Sequence, residues 1–527
     1  MNNTTILYDW LSRQQRNYGV LALFGIVSIY MFFIVRLPGY ITDDYYIFHL
    51  VSKASSSWYI DNPQEKFYLY YRPITYLYFY LLYHIVGNNP LAMKGIAVVV
   101  LLCTLLLMVG IIVQLSRYFK KDISTIGMML SVAFVVFHPD VLQSVLWIAN
   151  INELLMSMLY LLAVYTICDI LLQQSSIKGV KIAIAILAFA CSVLTKQQSL
   201  HLPILLIMFL VWKGKELEVE KKRALWIIAV VTLVLMFVVL LPNVKIFAER
   251  VGTENLLESL WKKPFALAGS LLYIIFPLYG LEIYSLFLVN KVYALGAAVV
   301  GFGGLVIVLK KYKIWSLHSI IVGTLLIVVI FFPRLFLATS DRINTLQVVV
   351  TAIVAVIVVG RSKKLIAIVA LIVLLTMAGG MKSFFNLQQA VQFFDKTNRE
   401  LLLFVQKKEN TSYVMTYSEP FLPTVSSLFY LKHGKFGIDT SLQNSGVVVR
   451  NNLTGLVQPS AVYVSISFDS IHVDLKDRFS SIYLDKNLKQ PKILKATSGI
   501  RGFASLTFLL NEEIARKKYT LITYSDS

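Results

Sequence analysis

The sequence predicts a mainly α-helical, polytopic membrane bundle of about eleven spans, followed by a small C-terminal mixed α/β domain on the extracytoplasmic side. Three observations carry that prediction. The 527-residue chain is 57% hydrophobic, and apolar runs recur from residue 17 to about residue 380. Many of these runs approach or exceed the roughly 20 residues that a helix needs to cross a bilayer. Basic residues gather in short loops between the runs, and beyond residue 382 short β-rich runs replace them.

The expected spans are 17–36, 91–116, 123–138, 153–173, 180–195, 199–212, 225–242, 292–309, 315–333, 343–360 and 365–381. The first is too long for a signal-peptide core and no small-residue cleavage site follows it, so it is expected to be retained. Orientation follows from the loops. Arg13 and Arg16 precede the first span. Arg117, Lys120 and Lys121 follow the second, and Lys178 and Lys181 the fourth. Lys213, Lys215, Lys221, Lys222 and Arg223 follow the sixth. Lys310, Lys311 and Lys313 follow the eighth, and Arg361, Lys363 and Lys364 the tenth. All fall on one side if the N-terminus is cytoplasmic. The net charge of +20 is thereby a matter of orientation, and no nucleic-acid partner is expected.

Two apolar stretches stay outside this count, because either one as a crossing would put a basic loop on the wrong side. PITYLYFYLLYHIVG, 73–87, is tyrosine-rich and suits a helix lying at the interface. FALAGSLLYIIFPLYGLEIYSLFLV, 265–289, is broken by Pro277 and Gly280 and suits an interfacial or re-entrant segment. The membrane domain is thus 1–382, with outer loops 37–90 and 243–291. The tail, 383–527, opens with a helix, FNLQQAVQFFDKTNRELLLFVQ. The strands SYVMTYS, GVVVR, AVYVSISF, SIYL, SLTFLL and YTLITYS follow. The three cysteines, Cys103, Cys168 and Cys191, all sit in apolar runs and imply neither a disulfide framework nor a metal site.

Polar residues on the outer face are the functional candidates. Asp43 and Asp44 follow the first span. Adjacent carboxylates repel, and partial burial raises a carboxyl pKa, so one of them suits a general base toward a hydroxyl. The competing reading makes Asp44 the N-cap of the helix YYIFHLVSKAS. Arg72, before Pro73, offers a cationic fork for a phosphate oxygen, or else snorkels to headgroups. In FHPDVLQSVLWIANINELL, 137–155, His138-Pro139 is a helix stop. Asp140 and Glu153 bracket a hinge that contains Trp147. Glu153 opens the next apolar run, where an ionisable group is a functional candidate, or else an acid stabilised by the helix N-terminus. Lys196 and His201 stand in the outer turn between the fifth and sixth spans. His201 is expected to be structural. Arg334 and Arg342 stand in the turn between the ninth and tenth.

Taken in order, these stretches resemble the GT-C superfamily of integral membrane glycosyltransferases. The likeness is to the protein O-mannosyltransferase-like branch, including its members with tetratricopeptide repeats. The Asp43-Asp44 pair follows the first span. YYRPITYLYFYLLYHIVGNNP is similar to the family's RPL…FG.NP stretch. HPDVLQSVLWIANINELL is similar to HP…ESVAWVAERKDLL, LTKQQSLHLP to LSKPMAVTLP, and PRLFLATS to RYLYLPS. The chain departs at Gln143, where the pattern has Glu, and at Asn150-Ile151, where it has Glu-Arg. The tail is not tetratricopeptide.

The resemblance implies an inverting transfer of a sugar, expected to be a hexose, from a polyprenyl-phosphate donor. The acceptor would be a hydroxyl on a protein or envelope glycan at the outer face. Composition, with scarce outer cysteine and abundant Lys and Ile, points separately to a bacterial inner membrane. Asp44 or Asp43 would be the base. Arg72, Lys196, Arg334 and Arg342 would hold the donor phosphate. Glu153, Asp140, His138 and Trp147 would contact substrate or supply a second acid. No metal ligands are assigned. No cofactor is expected to be obligatory, although a divalent cation is compatible with the resemblance. The rival readings are a transporter or flippase of lipid-linked sugars, which should carry charges deep within spans and internal repeats, and a non-catalytic scaffold.

Overall fold

The computed structural model describes parts of 25–53, nearly all of 72–251, 345–407 and eight strands between 412 and 522, with a few isolated positions elsewhere. Side chains are described as far as 239 in the second stretch and 392 in the third. The described part is mainly helical. The expected spans 292–309 and 315–333 and the stretch 265–289 fall largely or wholly outside it.

The helices are α1 (Asp43–Lys53), α2 (Pro73–Val86), α3 (Pro90–Tyr118), α4 (Thr125–Phe137), α5 (Pro139–Leu146), α6 (Ile151–Leu172), α7 (Gly179–Thr195), α8 (Leu202–Lys213), α9 (Val219–Val251), α10 (Thr345–Val359) and α11 (Lys363–Lys407). Among the described residues, four helical stretches can cross a membrane by length and composition: Pro90–Tyr118, Ile148–Leu172, Val219–Val239 and Lys363–Gln389. The pair α4 and α5, bent by 55°, makes a fifth if it counts as one span. The chain divides into two units. One holds Met1–Arg36 and Ser55–Lys382, the other Leu37–Ala54 and Ser383–Ser527.

In the first unit local signals explain several helix starts. Asn89 caps α3, its side chain accepting from Ala92 N at 3.1 Å, and Pro90 takes the first turn, where no N–H is missed. Pro73 starts α2 in the same way, and α2 ends at Gly87, whose φ of 67° favours glycine. The helices α3, α6 and α7 pack in succession, α9 lies against α7, and α10 lies against α3, α4 and α6. At the opposite end of α7 from Lys196, Lys181 pairs with Asp169 on α6 and donates to Gln173 at 2.8 Å, which pins the α6–α7 hairpin.

Pro139 ends a helix, as the sequence suggested, but the chain turns helical again at once. It ends α4 and begins α5, because its missing N–H suits the first position of a new helix equally well. All eight residues of α5 are buried, so the expected hinge is a covered, bent element. The break leaves Val136 O without its usual partner, since Asp140 N turns instead to His138 Nδ1 at 3.3 Å. Tyr30 OH donates to Val136 O at 2.6 Å, from a helical stretch 106 residues earlier. Broken backbone at membrane depth needs such cover. Tyr30→Phe should therefore lower stability by about 1–3 kcal/mol, the cost of an uncovered buried acceptor, read by thermal unfolding in detergent.

The Phe137 carbonyl meets a second device. At Gly380 on α11, an added Cβ would fall inside the van der Waals envelope of Phe137 O. A helical Gly→Ala change normally gains up to about 1 kcal/mol. Here the obstacle is backbone, which cannot rotate aside, and overpacking costs about 1–3 kcal/mol. Gly380→Ala should therefore destabilise. Gly95→Ala on α3, where an added Cβ meets nothing within 4 Å, should stabilise. Melting temperatures of the two variants should move in opposite directions.

In the second unit, α1 begins at Asp43, so both acids lie in the first turn of the helix and Asp44 is not its cap. The eleventh expected span and the tail's helix turn out to be one helix, Lys363–Lys407. Eight strands form one sheet: β1 (Ser412–Thr416), β2 (Val447–Asn451), β3 (Val462–Ile466), β4 (Ser470–Leu475), β5 (Ser480–Leu484), β6 (Ile493–Ser498), β7 (Phe503–Leu509) and β8 (Tyr519–Ile522). Their order is β3-β4-β7-β5-β2-β1-β8, with β6 also on β7. β1 runs parallel to both its neighbours, and the other pairs are antiparallel. The strands β4 and β6 were not expected from the sequence.

Candidate functional site

The turn between α7 and α8 gathers residues from three helices. Its backbone leaves the helix at Lys196, which is extended (φ −160°), then passes through a short 3₁₀ turn, Gln197–Ser199. The α2 helix ties the turn from one side. Thr75 Oγ1 donates to Thr195 O at 2.7 Å, and Arg72 Nε donates to Gln197 Oε1 at 3.2 Å. The α6 helix ties it from another, where Glu153 Oε1 receives the Lys196 ammonium. Both members of that pair are buried, Glu153 at 0% exposure and Lys196 at 5%.

The hydroxyls and rings around the pair hold its geometry. Ser157 Oγ donates to Glu153 O at 2.7 Å, and Ser192 Oγ donates to Met156 O at 3.0 Å, which joins α7 to α6. His201 is buried, its Nδ1 lies 3.0 Å from Gln198 O, and its ring meets Tyr160 with centroids 5.1 Å apart. Burial pushes the Tyr76 phenol above its ordinary range, and the Arg72 guanidinium opposes that shift.

Electrostatics decides what this turn can hold. One carboxylate stands against two cations attached to consecutive positions, Lys196 itself and Arg72 through Gln197. The excess is positive, and little water screens the buried part. Such a place favours an anionic oxygen, and Arg offers it a fork of donors.

A second polar group lies at the α4–α5 bend. His138 and Asp140 are buried there, and Trp147 caps the C-terminal end of α5. Ser144 Oγ donates to Asp140 O at 2.8 Å and lies 2.9 Å from Thr345 Oγ1, which joins α5 to the start of α10. The α5 helix also packs against α6.

In the second unit, Asp44 is fully buried in the first turn of α1, where a helix N-terminus favours an acid. The Tyr40 ring packs against those of Tyr45 and Phe48, at 5.7 Å and 5.6 Å. The side chain of Asp43 is outside the described part, as are Arg334 and Arg342.

Of the residues singled out from sequence, the structure brings Arg72, Glu153 and Lys196 to one turn. His138, Asp140 and Trp147 belong to the bend. Sequence reasoning passed over Gln197, which carries Arg72, and Lys94, which is 2% exposed near the start of α3. A charge one turn inside an apolar run was the available signal for Lys94. Among the described residues no group of three or more His, Cys, Asp or Glu is placed to hold a metal ion. No family model, curated protein or solved structure matches the chain.

Proposed function

We propose that the chain is a membrane glycosyltransferase. It moves a sugar from a polyprenyl-phosphate donor to a hydroxyl acceptor, with inversion, at the outer face of the membrane. One observation carries the reading: Arg72, Glu153 and Lys196, chosen from three separate stretches of sequence, meet at one buried, net-positive turn. In this reading Arg72 and Lys196 hold the donor phosphate, and Arg334 and Arg342 add to them. Asp44 or Asp43 removes the acceptor proton as the hydroxyl attacks the anomeric carbon. The transition state is oxocarbenium-like, and the cations stabilise charge growing on the leaving phosphate. No divalent ion is needed to balance the step.

The same reading has the chain crossing about eleven times, with a cytoplasmic N-terminus. The sheet-bearing tail becomes an extracytoplasmic α/β domain, the membrane a bacterial inner membrane, and the acceptor a protein or envelope glycan. A carrier of lipid-linked sugars is disfavoured by where the buried charges sit. Among the described residues Asp44, Lys94, Asp140, Glu153 and Lys196 all lie near helix ends, whereas a transport path needs charges deep within spans.

The test is release of radiolabelled sugar from short-chain polyprenyl-phosphate hexoses by the purified full chain in detergent, with a hydroxyl acceptor mixture. Transfer, lost in Asp44→Asn or Asp43→Asn, is the expected result. Donor that binds but is never consumed, across hexoses and pentoses, would move the carrier or scaffold reading ahead.

A further inference from the structure

A carboxylate has two oxygens, and the turn accounts for one. Glu153 Oε1 holds Lys196. Glu153 Oε2 is equally buried and has no hydrogen-bond partner among the described residues. The preceding residue repeats the pattern, since Asn152 Oδ1 is also buried without a partner. A buried acceptor left unmade is costly, and Oε2 sits beside the turn that carries the two cations.

Charge decides which donor suits this oxygen. An ammonium or metal cation would approach a carboxylate already neutralised by Lys196, and would meet that ammonium at close range in a poorly screened place. Among the described residues no group of three or more His, Cys, Asp or Glu is placed to hold a metal ion there. A phosphate ionised at neutral pH offers little to donate and would be repelled by the carboxylate. A neutral hydroxyl donates its proton and adds no charge. Hydrogen bonds from hydroxyls to a carboxylate are also among the stronger ones.

We infer that Glu153 Oε2 is the recognition point for a ring hydroxyl of the transferred sugar. The site thereby selects a neutral sugar over one with an amino group at that position. This rests on the glycosyltransferase reading above and extends it: the phosphate goes to Arg72 and Lys196, and the sugar's hydroxyl to the far oxygen of the acid that holds Lys196. Glu153 is a binding and positioning residue in this scheme, with no proton transferred to or from it.

The experiment is equilibrium binding to the full-length protein in lipid nanodiscs. The ligands are a short-chain polyprenyl phosphate without sugar, its glucosyl, mannosyl and galactosyl derivatives, the monodeoxy analogues of whichever binds best, and the matching amino-deoxy sugars. One monodeoxy analogue should bind about ten- to a hundredfold more weakly than its parent, the range of a hydrogen bond to a charged group. The amino sugar at the same carbon should bind no better than that analogue. Glu153→Gln turns the accepting oxygen into a donor with little change of shape. It should weaken the parent by a similar factor and leave the sensitive analogue nearly unchanged. The wild-type series decides even if the variant fails to fold. Equal binding of every deoxy analogue, or tighter binding of an amino sugar, overturns the inference while the transferase reading stands. Failure of even the sugarless polyprenyl phosphate to bind overturns both.

Discussion

Lys196→Met is expected to destabilise the protein by about 3–5 kcal/mol, the cost of leaving one member of a buried ion pair uncompensated. Glu153 has no exposure through which water could replace the lost ammonium. Methionine keeps the length and most of the volume of lysine, so the loss is one of charge and not of packing. The check is a second variant, Glu153→Gln with Lys196→Met, which should recover most of the loss. A buried pair exchanged for neutral groups of similar size is often close to neutral overall. Unfolding followed by heat or denaturant in one detergent measures both. If the double variant is as unstable as the single one, the pair is not what holds the turn.

If the chain transfers sugar as proposed, Asp44→Asn is expected to lower that rate by about 10²–10⁴-fold, the usual contribution of a general base. Donor binding should change little, because the proposal gives the phosphate to Arg72 and Lys196. Asn keeps the shape of the carboxyl and its place in the first turn of α1, so the fold should survive. Asp43→Asn in parallel tells which of the two acids takes the proton. A full-rate Asp44→Asn enzyme would return that residue to the role of an acid at a helix start, where its charge is worth about 0.3–1 kcal/mol.

Much of this architecture was legible in the order of residues. The apolar run expected over 91–116 is the helix Pro90–Tyr118, and Asn89-Pro90 marks its start by cap and ring alike. The lone acid opening a span, Glu153, and the lone base between two spans, Lys196, were visible as charges in costly places, and they pair. What the sequence hid has physical reasons. Proline signals both the end of one helix and the start of another, and the stop at Pro139 gave no sign of the helix that begins there. The helix Lys363–Lys407 runs on through Gly379-Gly380 because no proline follows to end it, while composition alone suggested a boundary. SIHVDL alternates correctly, but His472 and Asp474 dilute its strand character, and ILKATS is too polar to stand out. Glutamine at 197 carries no charge to attract notice, and its value lies in the arginine it meets 125 residues away.

The hydroxyl of Tyr30 on the Val136 carbonyl also bears on biogenesis. The helix α4 has 13 residues, about 20 Å at 1.5 Å per residue, against roughly 30 Å of hydrocarbon. Entering lipid alone, it would be short and would carry an open backbone group at its bent end. Tyr30 precedes α4 in the chain, so its hydroxyl is synthesised before α4 leaves the ribosome. The order of synthesis delivers the cover before the break it covers. Tyr30→Phe should therefore impair insertion of α4 and α5 during translation, read as a lower yield of correctly inserted chain.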